Sequence, residues 1–164
     1  MSRLDHEIVE LLPRLRRLAR ALARDSADAD DLAQATVERA LVHRGQWRPG
    51  TRLDSWMFRI MKNAWIDETR ARRRRTAVLV PQEEGERVGD AGAALAEDRL
   101  AVGEVERAMA RLPDDQRLAV ALVLVEGLAY REAASVLQVP EGTLTSRLVR
   151  GRAALLADLG EVVS

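Results

Sequence analysis

No cysteine occurs in the 164 residues, so neither a disulfide nor a thiolate metal site can form. Histidine is almost as scarce. His6 and His43 alone could supply imidazole, and their separation fits no metal-binding spacing. No metal and no cofactor are therefore expected. No segment approaches the roughly 18 consecutive apolar residues of a membrane span, and no apolar stretch follows a basic start. The expectation is a soluble cytoplasmic protein without membrane insertion. A Ser/His/Asp set and a glycine-rich phosphate loop are also missing, so the chain does not read as an enzyme. Net charge is absent too. The 26 Lys and Arg balance 26 Asp and Glu, which argues against indiscriminate coating of nucleic acid.

The balanced charge is unevenly spread. Residues 1–76 carry 17 basic against 11 acidic side chains, residues 77–103 carry 2 against 6, and residues 104–164 carry 7 against 9. A basic front, an acidic middle and a mildly acidic rear indicate separate modules. The stretch TAVLVPQEEGERVGDAGAAL holds Pro81, three glycines and several acids with no helical stripe, the composition of a linker. No run alternates apolar and polar residues for long enough to build a sheet. The expected fold is all-α: two small helical domains joined by a flexible linker, the C-terminal one a helix-turn-helix. Domains are expected at 5–76 and 98–160, with the acidic linker at 77–97. Two domains of about 70 residues lie near the lower limit for independent folding. Helices are expected near 4–24 with a restart at Pro13, then at 27–43, 52–75, 97–111, 114–126, 130–137 and 141–158.

The most informative stretch is LAYREAASVLQVPEGTLTSRLVRGRAALL, residues 128–156. It reads as a short helix, a tight turn and a second helix, the pattern that lays its second helix in the DNA major groove. At 100° per residue, Leu144, Leu148, Gly151, Leu155 and Leu159 share one stripe, suited to packing on the preceding helix. Thr143, Ser146, Arg147 and Arg150 fall opposite, near the helix start. Arginine can bond guanine bidentately, and a hydroxyl can serve a base edge or a phosphate. In the upstream helix, Ala133, Ala134 and Leu137 are expected inside. An ordinary helical hairpin with a solvated polar face would share the charges. It is the turn and the small residues that favour DNA.

The front module carries a different pattern. Ser26 is expected to cap a helix, DADDLAQATVERAL, with acids in its first turn. Leu32, Ala35, Val37, Ala40 and Leu41 would be partly buried, leaving Asp31, Gln34, Glu38 and Arg39 outside. A loop, HRGQWRPGT, then sets Arg44, Arg48 and Arg52 around Trp47. Positive charge beside a flat ring suits single-stranded nucleic acid, although a tryptophan usually buries most of its surface. In the next helix Trp56, Ile60, Ala64 and Trp65 are expected to pack. Arg59, Lys62, Asn63 and the cluster Arg70, Arg72, Arg73, Arg74 and Arg75 are expected outside, the cluster holding phosphates or a helix C-terminus.

Three segments in order, DADDLAQATVERAL, GTRLDSWMFRIMKNAWIDETRARRRR and LPDDQRLAVALVLVEGLAYREAASVLQVPEGTLTSRLVRGRAAL, resemble a bacterial RNA polymerase sigma factor of the extracytoplasmic function (ECF) group. The family's region 2 and region 4 would cover nearly the whole chain. The resemblance implies a specificity subunit that binds core RNA polymerase and directs promoter recognition and transcription initiation. Asp30, Asp31, Gln34, Glu38 and Arg39 would dock on the β′ clamp helices, and region 4 on the β flap. Trp47 and its arginines match the loop that captures a flipped base of the −10 element, with Asn63 facing that base. Arg59, Lys62 and Arg72 to Arg75 would hold the strand backbone. Thr145, Ser146, Arg147, Val149 and Arg150 match positions on the −35 recognition helix. The resemblance further implies control by an anti-sigma factor and two DNA-reading domains held apart by the linker.

Val149 and Thr145 stand where relatives often carry larger or basic residues, and Val123 where some place an arginine on DNA. These departures imply few direct contacts at the −35 element. The alternative is a sigma-like decoy that sequesters an anti-sigma factor. Such a module would lose basic residues from its DNA faces, whereas Arg147, Arg150 and the Arg70–Arg75 cluster remain here.

Overall fold

The computed structural model describes residues 2–78 and 97–163, with side chains from 2 to 78 and 103 to 160. All regular structure among these residues is helical, with no strand. The front half holds α1 (Arg3–Glu10), α2 (Leu12–Leu22), α3 (Ser26–Val42) and α4 (Leu53–Val78). The rear half holds α5 (Glu97–Arg111), α6 (Asp114–Val120), a π turn over Ala121–Val125, α7 (Tyr130–Leu137) and α8 (Glu141–Val163). The expected linker lies outside the described residues except at Ala77, Val78 and Glu97, which are helical.

Local chemistry explains most helix ends. Ser2 forms a capping box, its hydroxyl accepting the Asp5 N–H while the Asp5 carboxylate accepts the Ser2 N–H. The restart at Pro13 occurs as expected, with the proline in the first turn of α2 where its missing N–H costs no helical bond. The cap of α3 is Asp25 rather than Ser26: extended backbone there lets its carboxylate accept the Asp28 N–H at 2.8 Å. A full negative charge at this helix end also gains from the dipole.

In the front half, α3 brings small residues to the interface. Ala29, Ala33, Thr36 and Ala40 are buried, and the Thr36 hydroxyl donates to the Leu32 carbonyl at 2.8 Å. On α4 the fully buried residues are Met57, Phe58 and Met61, with Trp56 and Ile60 only half-buried. Ala64 and Trp65 of the expected stripe are buried as well, and the buried surface is wider than that stripe because α4 packs on α3 along one side and on α7 along another. Two covered sides need a wider apolar surface than one amphipathic stripe provides.

The expected helix at 114–126 is α-helical only to Val120. It then widens into the π turn, where the Glu126 N–H donates to the Ala121 carbonyl at 3.0 Å. Gly127, at φ +71°, turns the chain away in a conformation a Cβ would strain. Between α7 and α8 the turn is a Schellman motif. The Gln138 N–H donates to Ser135 and the Val139 N–H to Ala134, with Gln138 left-handed at φ 58°. Ala133, Ala134 and Leu137 are buried as the spacing requires, and so are Leu144, Leu148 and Gly151, the stripe fading at Leu155 and Leu159.

Gly151 is where α8 touches α6. A Cβ there would lie 2.8 Å from Val120 Cγ2 and 3.2 Å from Gln116 Cβ. Val120 is itself buried and has little room to yield. Gly151→Val should therefore destabilise the protein by about 1–3 kcal/mol through overpacking. Adding Val120→Ala should recover part of that loss in a thermal melt, whereas equal loss in single and double variants would contradict the packing assignment.

The halves lie directly against each other. Helix α2 meets α5, α6 and the π turn, while α4 meets α7. Buried side chains of both halves form one continuous apolar cluster.

Candidate nucleic-acid interface

The rear face starts at the first turn of α8. Thr143, Thr145, Ser146 and Arg147 are half-buried, whereas Val149 and Arg150 are exposed. The Thr145 hydroxyl donates to the Glu141 carbonyl at 3.0 Å, so its proton is used within the helix. Arg147 Nε lies 3.5 Å from an Asp115 carboxylate oxygen. A partly exposed pair of this kind contributes about 0–1 kcal/mol and is readily exchanged for another anion.

In the front half, Arg44 opens a short 3-10 turn over Arg44–Gln46. It donates to the Leu41 carbonyl and lies 3.6 Å from Asp5. Trp47 is half-buried beside the exposed Arg48, which fits the general tendency of tryptophan to bury its surface. Gly50, at φ +89°, bends the loop toward α4. Arg52 pairs with Asp54 at 2.8 Å and Arg14 pairs with the same carboxylate at 2.9 Å. Burial pushes that carboxyl up, but these hydrogen bonds outweigh it and hold Asp54 below its ordinary value.

Asn63 is exposed on α4, as expected. Lys62 departs from expectation. It is buried, 6% exposed, and its ammonium donates to Gln138 Oε1 of the rear half at 3.3 Å. Burial pulls its pKa down, and the neighbouring Arg59 adds to the fall. Arg59 is likewise half-covered, donating to the carbonyl and hydroxyl of Ser135, each at 3.3 Å. The physical reason is α7, which lies over this side of α4. Periodicity along α4 carries no trace of partners 76 residues further along the chain.

The arginine cluster is partly committed within the protein. Arg72 bridges Asp28 at 2.9 Å and Glu68 at 3.1 Å, Arg75 reaches Glu68 at 3.4 Å, and Arg73 pairs with Asp114 of the rear half. Arg70 and Arg74 point outward. Along α3, Asp30, Asp31, Gln34, Glu38 and Arg39 are all exposed, with Gln34 donating to Glu38 and Arg39 lying 3.7 Å from Asp67. Beside them a groove of about 920 Å³ has Leu32, Ala35, Ala64 and Trp65 in its wall and Asp31 and Arg39 among its polar residues.

Several residues at the junction went unnoticed in the sequence. The Glu126 side chain is fully buried and accepts from Arg14 at 3.3 Å and from Arg17 at 2.7 and 3.0 Å. Arg117 is buried and donates to the carbonyls of Leu22, Ala110 and Leu112, its guanidinium 5.6 Å from the Trp65 ring. Ser55 donates to Glu132 at 3.1 Å. A charge at each end of an apolar run, as in RLAVALVLVE, was the available signal. No group of three or more potential metal ligands occurs among the described residues. Nor is any described helix long and apolar enough to cross a membrane.

Two family models match the chain: the Sigma2 domain of PhyR over residues 8–62 and Sigma-70, region 4, over residues 103–155. The chain is 40% identical to the ECF RNA polymerase sigma factor SigM of Mycobacterium tuberculosis over 146 residues, covering 89% of this chain and 71% of that protein. It is 34% identical to the ECF RNA polymerase sigma factor EcfG of Rhodopseudomonas palustris, covering 94% of this chain and 83% of that protein. Among solved structures it resembles the sigma factor RpoE of Bartonella quintana, held there in complex with the anti-sigma factor NepR. The TM-score is 0.80 at 28% identity, with 96% of each chain covered.

Proposed function

The chain belongs to the ECF RNA polymerase sigma factors, and on that premise we propose how its two halves divide the work of directing transcription. Residues 5–76 act as region 2, docking on core polymerase and opening the −10 element. Residues 98–160 act as region 4, reading the −35 element and meeting the β flap, with the 77–97 segment joining them. Binding to RNA polymerase and promoter DNA follows from the family. The assignment of subunit surfaces and residues is the proposal.

The observation that carries it is the presentation of α8. A Schellman turn and a buried Leu144–Leu148 stripe fix the helix, while Val149 and Arg150 project from it and Arg147 is held by one weak pair. A rigid helix with arginines near its N-terminal end suits base-edge contact in the major groove. Thr143, Thr145 and Ser146 line the same end. The exposed residues of α3 suit docking on the β′ clamp helices. The loop of Arg44, Trp47, Arg48 and Arg52 suits an unpaired strand, with Asn63 further along α4 facing an extruded base. Capturing that base offsets the few kcal/mol of unpairing, which couples opening to sequence. Arg59, Lys62 and Arg72 to Arg75 supply charge for the strand backbone. The same chain would be restrained in the cell by an anti-sigma factor, as the Bartonella quintana relative is in its complex.

Asn63→Ala tests the front assignment. It should lower promoter opening roughly tenfold, the size of one lost base contact, while closed-complex formation changes little. Permanganate reactivity of the melted bases measures the opening, and unchanged reactivity would reject the role.

A further inference from the structure

Between α4, α6 and the start of α8 lies a cavity of about 250 Å³. Four basic side chains line it: Lys62, Arg70, Arg73 and Arg147. Only two acids share its wall. Asp114 pairs with Arg73, and Asp115 lies 3.5 Å from Arg147. Four positive charges less two negative ones leave an excess of two. Lys62 and Arg70 carry it, since neither has a carboxylate partner among the described residues.

Lys62 is the unusual member. It is more than nine-tenths buried, and one of its three N–H donors reaches a neutral acceptor, Gln138 Oε1. The other two find no acceptor among the described residues. Burying a cation without an anion is costly. Arg59, one turn earlier on α4, adds like charge, and it too bonds only to neutral oxygens, those of Ser135. Its Nε is buried without a hydrogen-bond partner. In an ordinary ion-pair network each charge finds its opposite, whereas here donors are left over around an open volume. Ile66, Leu118 and Leu137 complete the wall, and apolar surroundings strengthen any charge interaction made inside. The Thr69 hydroxyl also lines the cavity, bonded to no other described residue.

We propose that this cavity binds a phosphate-class oxyanion, either free orthophosphate or the terminal phosphate of a nucleotide, with Lys62 and Arg70 as its charge partners and the Thr69 hydroxyl as a further donor. A phosphate group carries about −1.5 to −2 near neutral pH, which matches the excess of two. Its several acceptor oxygens suit an ammonium, a guanidinium fork and a hydroxyl converging on one point. A carboxylate has one charge and would leave half the excess uncovered. At about 30 Å³ per water, the volume has room for a phosphate and part of its hydration shell. The site stands whether or not the same side chains also touch DNA.

Calorimetric titration of the full chain with sodium orthophosphate, sodium pyrophosphate and adenosine triphosphate, each against sodium chloride at equal ionic strength, tests it. At least one of the three should bind saturably at one site per chain and raise the melting temperature. Lys62→Met removes the buried charge and should weaken that binding at least about tenfold. Arg70→Ala, at an exposed position, should weaken it in the same direction and keeps the test decisive if Lys62→Met misfolds. Either order of affinities supports the site: tightest binding of orthophosphate assigns it to the free ion, and tightest binding of pyrophosphate or adenosine triphosphate to a nucleotide. Phosphate also stabilises proteins through exclusion from their surface, without saturation and without regard to Lys62. An unsaturable rise in melting temperature, equal in parent and variants, would therefore overturn the proposal. Saturable binding that both variants retain in full would overturn it as well.

Discussion

Replacing Arg147 and Arg150 together by alanine is expected to cut initiation at the cognate promoter at least about 30-fold while binding to core polymerase survives. A bidentate arginine–base contact contributes about 1–3 kcal/mol of discrimination. Loss of two such contacts gives about 2–6 kcal/mol, and the lower bound corresponds to the 30-fold figure. Neither side chain is part of the core, and the Arg147–Asp115 pair contributes little to stability. The defect should therefore appear in DNA recognition rather than in folding. Footprinting over the upstream element, alongside a pull-down with core enzyme, separates the two. Equal loss of polymerase binding would show that the face had been misassigned.

Phe58→Ala is expected to have the largest effect on stability. The ring is fully buried between the front helices and carries Arg14 on its face. Truncating a buried phenylalanine costs about 3–5 kcal/mol through lost transfer energy and the cavity left behind. Against a typical total of about 5–15 kcal/mol, that is a large fraction. The melting temperature should fall by roughly 6–20 °C. The buried residues of both halves form one cluster, so near- and far-ultraviolet circular dichroism should show a single transition moving as a whole. A fall of less than 2–3 °C would mean that the ring is less tightly packed than its burial indicates.

Residues whose environment is set within one helix or one turn were legible in advance. The stripe Leu144, Leu148 and Gly151 and the buried alanines of α7 follow from 3.6-residue periodicity, and the break at Pro13 follows from a missing donor. The exposed acids of α3 follow from the same logic. Residues whose environment is set by a distant segment were not. Lys62 and Arg59 carry the charge and spacing of an open surface, yet α7 covers them. Arg117 and Glu126 sit at the borders of an apolar run and are buried against partners supplied by α2 and its C-terminal end. Close alternatives were hard to separate as well. Asp25 and Ser26 are both good caps, and backbone geometry selected the aspartate. The π turn left no mark because its residues, ALVLV, suit an ordinary helix equally well.

The ECF sigma factor of Rhodopseudomonas palustris, 34% identical, aligns over 94% of this chain, so the alignment spans both halves. Helix α4 meets the rear half through Arg73–Asp114 at the start of α6 and through Lys62–Gln138 at the end of α7.

The most direct measurement is run-off transcription by purified core polymerase on a promoter library, with and without the full chain. Initiation that depends on the chain, from start sites preceded by two shared sequence elements at fixed separation, is the expected result. Absence of initiation by a chain that is folded and still binds an anti-sigma factor would contradict it and identify a decoy instead.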